Sequence, residues 1–157
     1  MTLPTMMDFP LVSDALELHC ATLDCHGTLP RNMRLYSYLG LRLKKGDVSG
    51  TGATTPEEYD ANYESLVTIA PEVLSAIVQR HGQGFDKWIV VTKGTGVEHH
   101  KGGAKFAKND DMYKCLLSWI QGAVNMDACT TASHVVSPET EQPPTDQTSP
   151  PAGGTQP

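Results

Sequence analysis

No stretch of this sequence stays apolar for the roughly 20 residues that a membrane-spanning helix needs. Basic residues are also sparse: 12 Lys and Arg stand against 18 Asp and Glu. They form no stripe that would suit a nucleic acid, and the one adjacent pair, Lys44-Lys45, reads as a solvated turn. The first ten residues, MTLPTMMDFP, have neither the basic start nor the apolar centre of a secretion leader. If the protein is exported, its leader is expected to lie outside this chain. Phe, Trp and Tyr together make up only 6 % of the residues, and no internal repeat is present.

What is there fits one domain of ordinary size in 157 residues. From Ser137 to Pro157 there are six prolines, no aromatic residue and no aliphatic larger than alanine. Such a segment cannot bury enough apolar surface to offset the entropy of ordering, so a disordered Pro-rich tail is expected over 131–157. Residues 1–8 read as an N-terminal arm and 9–130 as the folded domain. Its core is small, and small cores often need a cofactor or a cross-link. Three of the acids, Glu139, Glu141 and Asp146, lie in the tail, so the folded part is only mildly acidic.

The pattern of elements predicts an all-α domain of about four helices with long irregular loops. Asp8-Phe9-Pro10 suits a helix start, and Phe9, Val12, Leu16 and His19 fall on one face. Residues 28–54, with four glycines and the anchors Leu35, Tyr36, Leu39, Leu41 and Leu43, read as a long loop. A loop of that length is unusual unless it wraps around something. Thr55-Pro56-Glu57-Glu58 is a capping box with Pro at the first helical position, opening a helix to about Ala70. Pro71 opens the next, over Glu72 to His81, stopped by Gly82 and Gly84. Trp88–Val91 reads as a short extended piece, and Lys93–Gly103 as a glycine-rich loop. The last helix starts at Asn109-Asp110-Asp111, with Met112, Cys115, Leu116, Trp119, Ile120 and Ala123 as its apolar stripe.

The chemistry gathers where the first helix ends. Cys20 and Cys25 are separated by four residues, and His26 follows directly. Covalent haem attachment ordinarily uses two cysteines separated by two residues, then His. Each thiol adds to a vinyl group on one edge of the porphyrin, and the next residue places an imidazole under the iron. A four-residue spacer can do the same by bulging. The same eight residues are also compatible with a local disulfide or half of a zinc site.

Residues 86–124 resemble the end of a family of small monohaem cytochrome c domains in exported bacterial proteins. In that family a segment containing Lys and Gly leads to a His, a Gly-Gly and a Phe. An acidic helix start and a Tyr-x-x-Leu-x-x-Trp-Ile helix follow. The matching residues here are Lys93, Gly96, His100, Gly102-Gly103, Phe106, Asp110-Asp111, Tyr113, Leu116, Trp119 and Ile120. The front end, Ala-Leu-Glu-Leu-His-Cys through Cys-His-Gly, is similar to the helix that enters a cytochrome haem motif. The resemblance covers most of residues 9–124, and the four-residue spacer is its one departure. It implies a small cytochrome c-like domain whose helices wrap around one covalent haem c, with electron transfer between redox partner proteins as the activity. It also implies a periplasmic or extracellular location and no enzymatic activity.

Under that resemblance Cys20 and Cys25 carry the thioethers and His26 is the proximal iron ligand. His100, six residues before Phe106, takes the family's position for the distal one. The alternatives are His99 next to it and Met33 in the long loop. Met112 belongs to a helical stripe and is expected in the core. Bis-His ligation implies a lower potential than His/Met, because a thioether favours the ferrous state more than imidazole does. Arg31, Arg34 and Arg42 are candidates to pair with the haem propionates. Cys115 and Cys129, left over after attachment in an oxidising compartment, suggest a disulfide, with two reduced core thiols as the alternative. His19 reads as a surface residue, and His81 and His134 have no partner visible in sequence.

Two readings from other classes stand beside the cytochrome. One is a zinc-binding structural domain using Cys20, Cys25, His26 and His99 or His100, the ligand count of a tetrahedral site. The other is an interaction module without cofactor, stapled by Cys20–Cys25 and Cys115–Cys129.

Overall fold

The computed structural model describes residues 1–134, so the Pro-rich stretch from Ser137 lies outside the described residues. Six α-helices and one short 3-10 turn make up the regular structure there, with no strand among the described residues. They are α1 (Phe9–Cys20), α2 (Pro56–Val67), α3 (Pro71–Gln79), the turn Phe85–Lys87, α4 (Ile89–Gly94), α5 (Asp111–Ile120) and α6 (Met126–Ser133). The all-α expectation holds, with two helices more than sequence periodicity predicts. None of these helices is long and apolar enough to cross a membrane.

Helix α1 is the centre. It packs against α6, α5 and α2, and it buries Phe9, Val12, Ala15, Leu16 and Cys20 along with Ser13 and Glu17. That is a band wider than one apolar stripe, as suits a helix covered on several sides. Phe9 meets Trp119 of α5 and the edge of Tyr63 of α2, with ring centres 5.2 and 5.3 Å away. The N-terminal arm is strapped over this cluster. Trp119 Nε1 donates to the Thr5 carbonyl at 2.8 Å, and Tyr63 Oη donates to the Pro4 carbonyl at 2.8 Å.

The capping box at α2 forms as expected, with Thr55 accepting from the Glu58 N–H. Glu58 also does more than cap. Its carboxylate accepts from Arg42, from the Leu43 N–H and from the Thr55 N–H. Both side chains of the Arg42–Glu58 pair are almost fully buried. Burial pushes the Glu58 carboxyl up, but Arg42 and the two N–H groups outweigh it and hold it below its ordinary value. This pair closes the far end of the 28–54 loop onto α2. Asn62 closes the middle, accepting from the Tyr36 N–H and donating to the Tyr36 carbonyl and Ser13 Oγ. Of the expected loop anchors, Leu35 is buried at 1 % exposure, whereas Leu43 is 43 % exposed.

Two expectations fail. Trp88–Val91 is β-branched and aromatic, hence the extended reading, yet it starts α4. The Trp88 carbonyl accepts from the Val91 and Thr92 N–H groups at 2.8 and 3.0 Å. Trp88, Val90 and Val91 are buried. With no partner strand, their backbone groups must be satisfied locally, and a helical turn does that. The expected domain boundary at 130 also falls inside α6, which runs to Ser133. Asn125 caps α6 through the Ala128 N–H at 3.0 Å, and a disulfide between Cys115 and Cys129 ties it to α5, with Cα atoms 4.7 Å apart.

Candidate functional site

Cys20 is the last residue of α1, and the chain then reverses in a tight turn. The Cys20 carbonyl accepts from the His26 N–H at 2.8 Å, and the Thr22 carbonyl accepts from Cys25 and Gly27 at 2.9 and 3.0 Å. At the middle of the turn the Ala21 carbonyl is packed from three sides. Ser37 Oγ donates to it at 3.1 Å, and a Cβ at Gly27 or at Gly40 would lie 2.0 Å from it. Only glycine fits at either position. The four-residue spacer is thus accommodated as a bulged turn clamped by the long loop.

Cys20 and Cys25 are both free thiols, the first buried and the second partly so. Burial, with Cys25 adding and Lys105 opposing, pushes the Cys20 thiol up to about 12, so it is protonated. His26 is half-buried. Its Nδ1 lies 2.8 Å from the Met33 carbonyl. A carbonyl only accepts, so Nδ1 carries the proton and Nε2 presents its lone pair, the tautomer that leaves Nε2 able to bind a metal. Burial lowers the His26 pKa, and the Met33 contact only partly offsets this, so the neutral imidazole is favoured.

The loop after α4 brings the second histidine. His100 is half-buried, and its Nδ1 lies 3.2 Å from the Gly103 carbonyl, which again leaves Nε2 as the free nitrogen. The two imidazoles stack, with ring centres 5.8 Å apart and planes 16° from parallel. Both rings line one cavity of about 360 Å³, whose walls also include Cys20, Met33, Ile69, Val90 and Gly94. That is within the size range of small-molecule and cofactor pockets. Its charged lining residues are Arg31, Lys93 and Lys105, with no acid among them.

Geometry also separates the sequence candidates. His99 is exposed, and its carbonyl accepts from Lys93 Nζ at 2.9 Å; it does not line the cavity. Met33 lines it but is joined through its carbonyl to His26. Met112 is buried in the core, as expected. Phe106 packs on α4 at Gly94, where a Cβ would come 2.3 Å from its ring. Arg42 is committed to Glu58 and to the 51–53 carbonyls, and Arg34 does not line the cavity, which leaves Arg31 of the three arginines. The surface reading of His19 is corrected. Its ring nitrogens lie 3.2 and 3.1 Å from the Lys105 and Ala132 carbonyls, tying α1 to the distal loop and to α6.

Sequence reasoning did not mark Ile69, Val90 or Lys105 as cavity residues; only the fold brings these parts of the chain to the site. The Cys20–Cys25 bridge of the stapled-module reading does not form, whereas Cys115–Cys129 does. The zinc reading needs three or four ligands together. Among the described residues no group of three or more His, Cys, Asp or Glu is placed to hold one metal ion. Comparison with protein-family models, with curated proteins and with solved structures finds no match to this chain.

Proposed function

We propose that this protein is a small c-type cytochrome that transfers electrons through one haem c held in the cavity between His26 and His100. The observation that carries the reading is that His26 and His100 line one cavity, each with Nδ1 tied to a carbonyl and Nε2 left free. Cys20 on the cavity wall and Cys25 in the turn next to His26 are the attachment thiols. In attachment each would add its S–H across a vinyl group, sulfur to one carbon and hydrogen to the other, with nothing lost. The haem supplies a one-electron iron couple when bound. The chain's own residues do the rest. His26 and His100 would hold its iron, Ile69, Met33 and Val90 would exclude water, and the clamped 20–27 turn keeps His26 in place.

With both histidines holding the iron, no position would remain for a substrate, which supports electron transfer over catalysis and redox proteins as partners. Covalent haem attachment and the Cys115–Cys129 disulfide both suit an oxidising periplasmic or extracellular compartment. The resemblance over residues 86–124 supports the same reading independently, because it selects His100 from sequence pattern alone. The test is production in a host with a periplasmic haem-attachment system. The protein should be red, heavier by one haem, and give a pyridine haemochrome spectrum after acid–acetone extraction. A colourless, folded product from that host overturns the proposal.

A further inference from the structure

Three cations line the cavity, but they are not equivalent. Lys93 is paired with Glu98 at 3.1 Å and donates to the His99 carbonyl. Arg31 spends its guanidinium on the turn, donating to the Cys25 carbonyl at 2.8 Å and the Asp24 carbonyl at 3.3 Å. Lys105 is different. Among the described residues no carboxylate or carbonyl partners its ammonium, and the ion pairs that do form involve Arg42, Lys93, Lys108 and Lys114.

Its backbone, by contrast, is pinned on both sides. The Lys105 N–H donates to the Gly94 carbonyl at 2.7 Å, and its own carbonyl faces the His19 ring at 3.2 Å. The side chain then turns toward the site. A Cβ at Gly102 would lie 3.6 Å from Lys105 Nζ and 3.4 Å from His100 Cε1, so ammonium and imidazole are neighbours across that glycine. The same charge is near enough to the Cys20 thiol to oppose the effect of burial there. An unpartnered ammonium held beside a distal ligand, in a cavity without acids, calls for an anion supplied by the occupant.

We propose that Lys105 is the cation that pairs with a carboxylate of the porphyrin in this cavity and thereby raises the potential of its iron; the inference rests on the haem reading above. An ammonium stays charged through the redox step, and it favours the ferrous state, which carries one positive charge fewer than the ferric. The decisive measurement is the midpoint potential of the haem-loaded full chain and of Lys105→Gln, Lys105→Met and Lys105→Arg, with Lys108→Gln as a surface control. Both neutral variants should shift the iron's reduction equilibrium about tenfold toward the ferric form, about 59 mV for one electron. Lys105→Arg should restore most of the shift, and Lys108→Gln should leave the potential unchanged. All four should keep the parent's low-spin spectrum. A red, low-spin parent whose potential is indifferent to both neutral substitutions overturns this inference alone. A parent without haem overturns the haem reading and this one with it.

Discussion

Glu17 should make this fold less stable as the pH rises through neutrality. It lies on α1 at 3 % exposure, one turn before Cys20. One carboxyl oxygen accepts from Thr54 Oγ1 at 2.8 Å and the other has no partner. Burial is the main cause that pushes its pKa from 4.5 up to about 7. Asp14 and Glu58 add to the shift, while the Thr54 hydrogen bond and Arg42 oppose it. The folded state therefore holds a proton that the unfolded chain has released. That contribution is fully present below about pH 4.5 and is lost as the pH rises through about 7. At 1.36 kcal/mol per pKa unit the swing is roughly 3 kcal/mol. Glu17→Gln keeps the shape and an oxygen for Thr54 but cannot ionise. The variant should match the parent near pH 4.5 and exceed its stability by up to about 3 kcal/mol at pH 8. Guanidinium unfolding followed by far-ultraviolet circular dichroism across that range measures the difference, and any pH dependence common to both cancels. If parent and variant keep a constant difference from pH 4.5 to 8, the buried-acid account of Glu17 is wrong.

Other substitutions bear on the site and its frame. His100→Ala should open the distal position, giving a high-spin or water-ligated ferric spectrum and binding of carbon monoxide by the ferrous form, while His99→Ala should leave the spectrum as it is. If instead Met33→Ala alone changes the spectrum, the ligation is His/Met. Gly27→Ala would place a methyl 2.0 Å from the Ala21 carbonyl, so a loss of roughly 3 kcal/mol, the upper end for overpacking, is expected in thermal melts. Arg42→Met should cost about 3–5 kcal/mol by leaving Glu58 buried without its cation, and Glu58→Gln in the same chain should recover much of it; an effect of Arg42→Met near zero would mean that the pair is not closing the loop.

Features set by local chemistry were legible in the sequence. The capping box at Thr55 and Glu58, the Asp110 cap of α5 and the long 28–54 loop all depend on residues within a few positions of one another. So does the Cys20, Cys25, His26 cluster. Helix α6 was missed although Asn125 is a good cap. Its Thr130, Thr131 and Ser133 are weak helix formers, and packing on α1 together with the Cys129 disulfide outweighs them. At α4, local preference pointed to a strand, and burial of Trp88, Val90 and Val91 without a neighbouring strand decided for a helix. In each case tertiary context overrode propensity at a segment of eight residues or fewer.

Net charge averages over positions, and the acidic sum of the chain does not describe its cavity. Glu139, Glu141 and Asp146 lie in the stretch beyond residue 134, while the charged side chains lining the cavity are Arg31, Lys93 and Lys105. A field that acts on a bound group or a docking protein is set by charges within about 10 Å at ordinary ionic strength. At that range the cavity is cationic in a chain whose sum is −6. His99 and His100 also differ by position alone. Both are adjacent in sequence and identical in chemistry. What distinguishes them is that Lys93 holds the His99 carbonyl outside while Gly103 turns the His100 ring inward. Neither contact can be read from spacing, because each depends on how α4 and the loop after it close on α1. Which of the two histidines reaches the cavity is therefore decided by the fold.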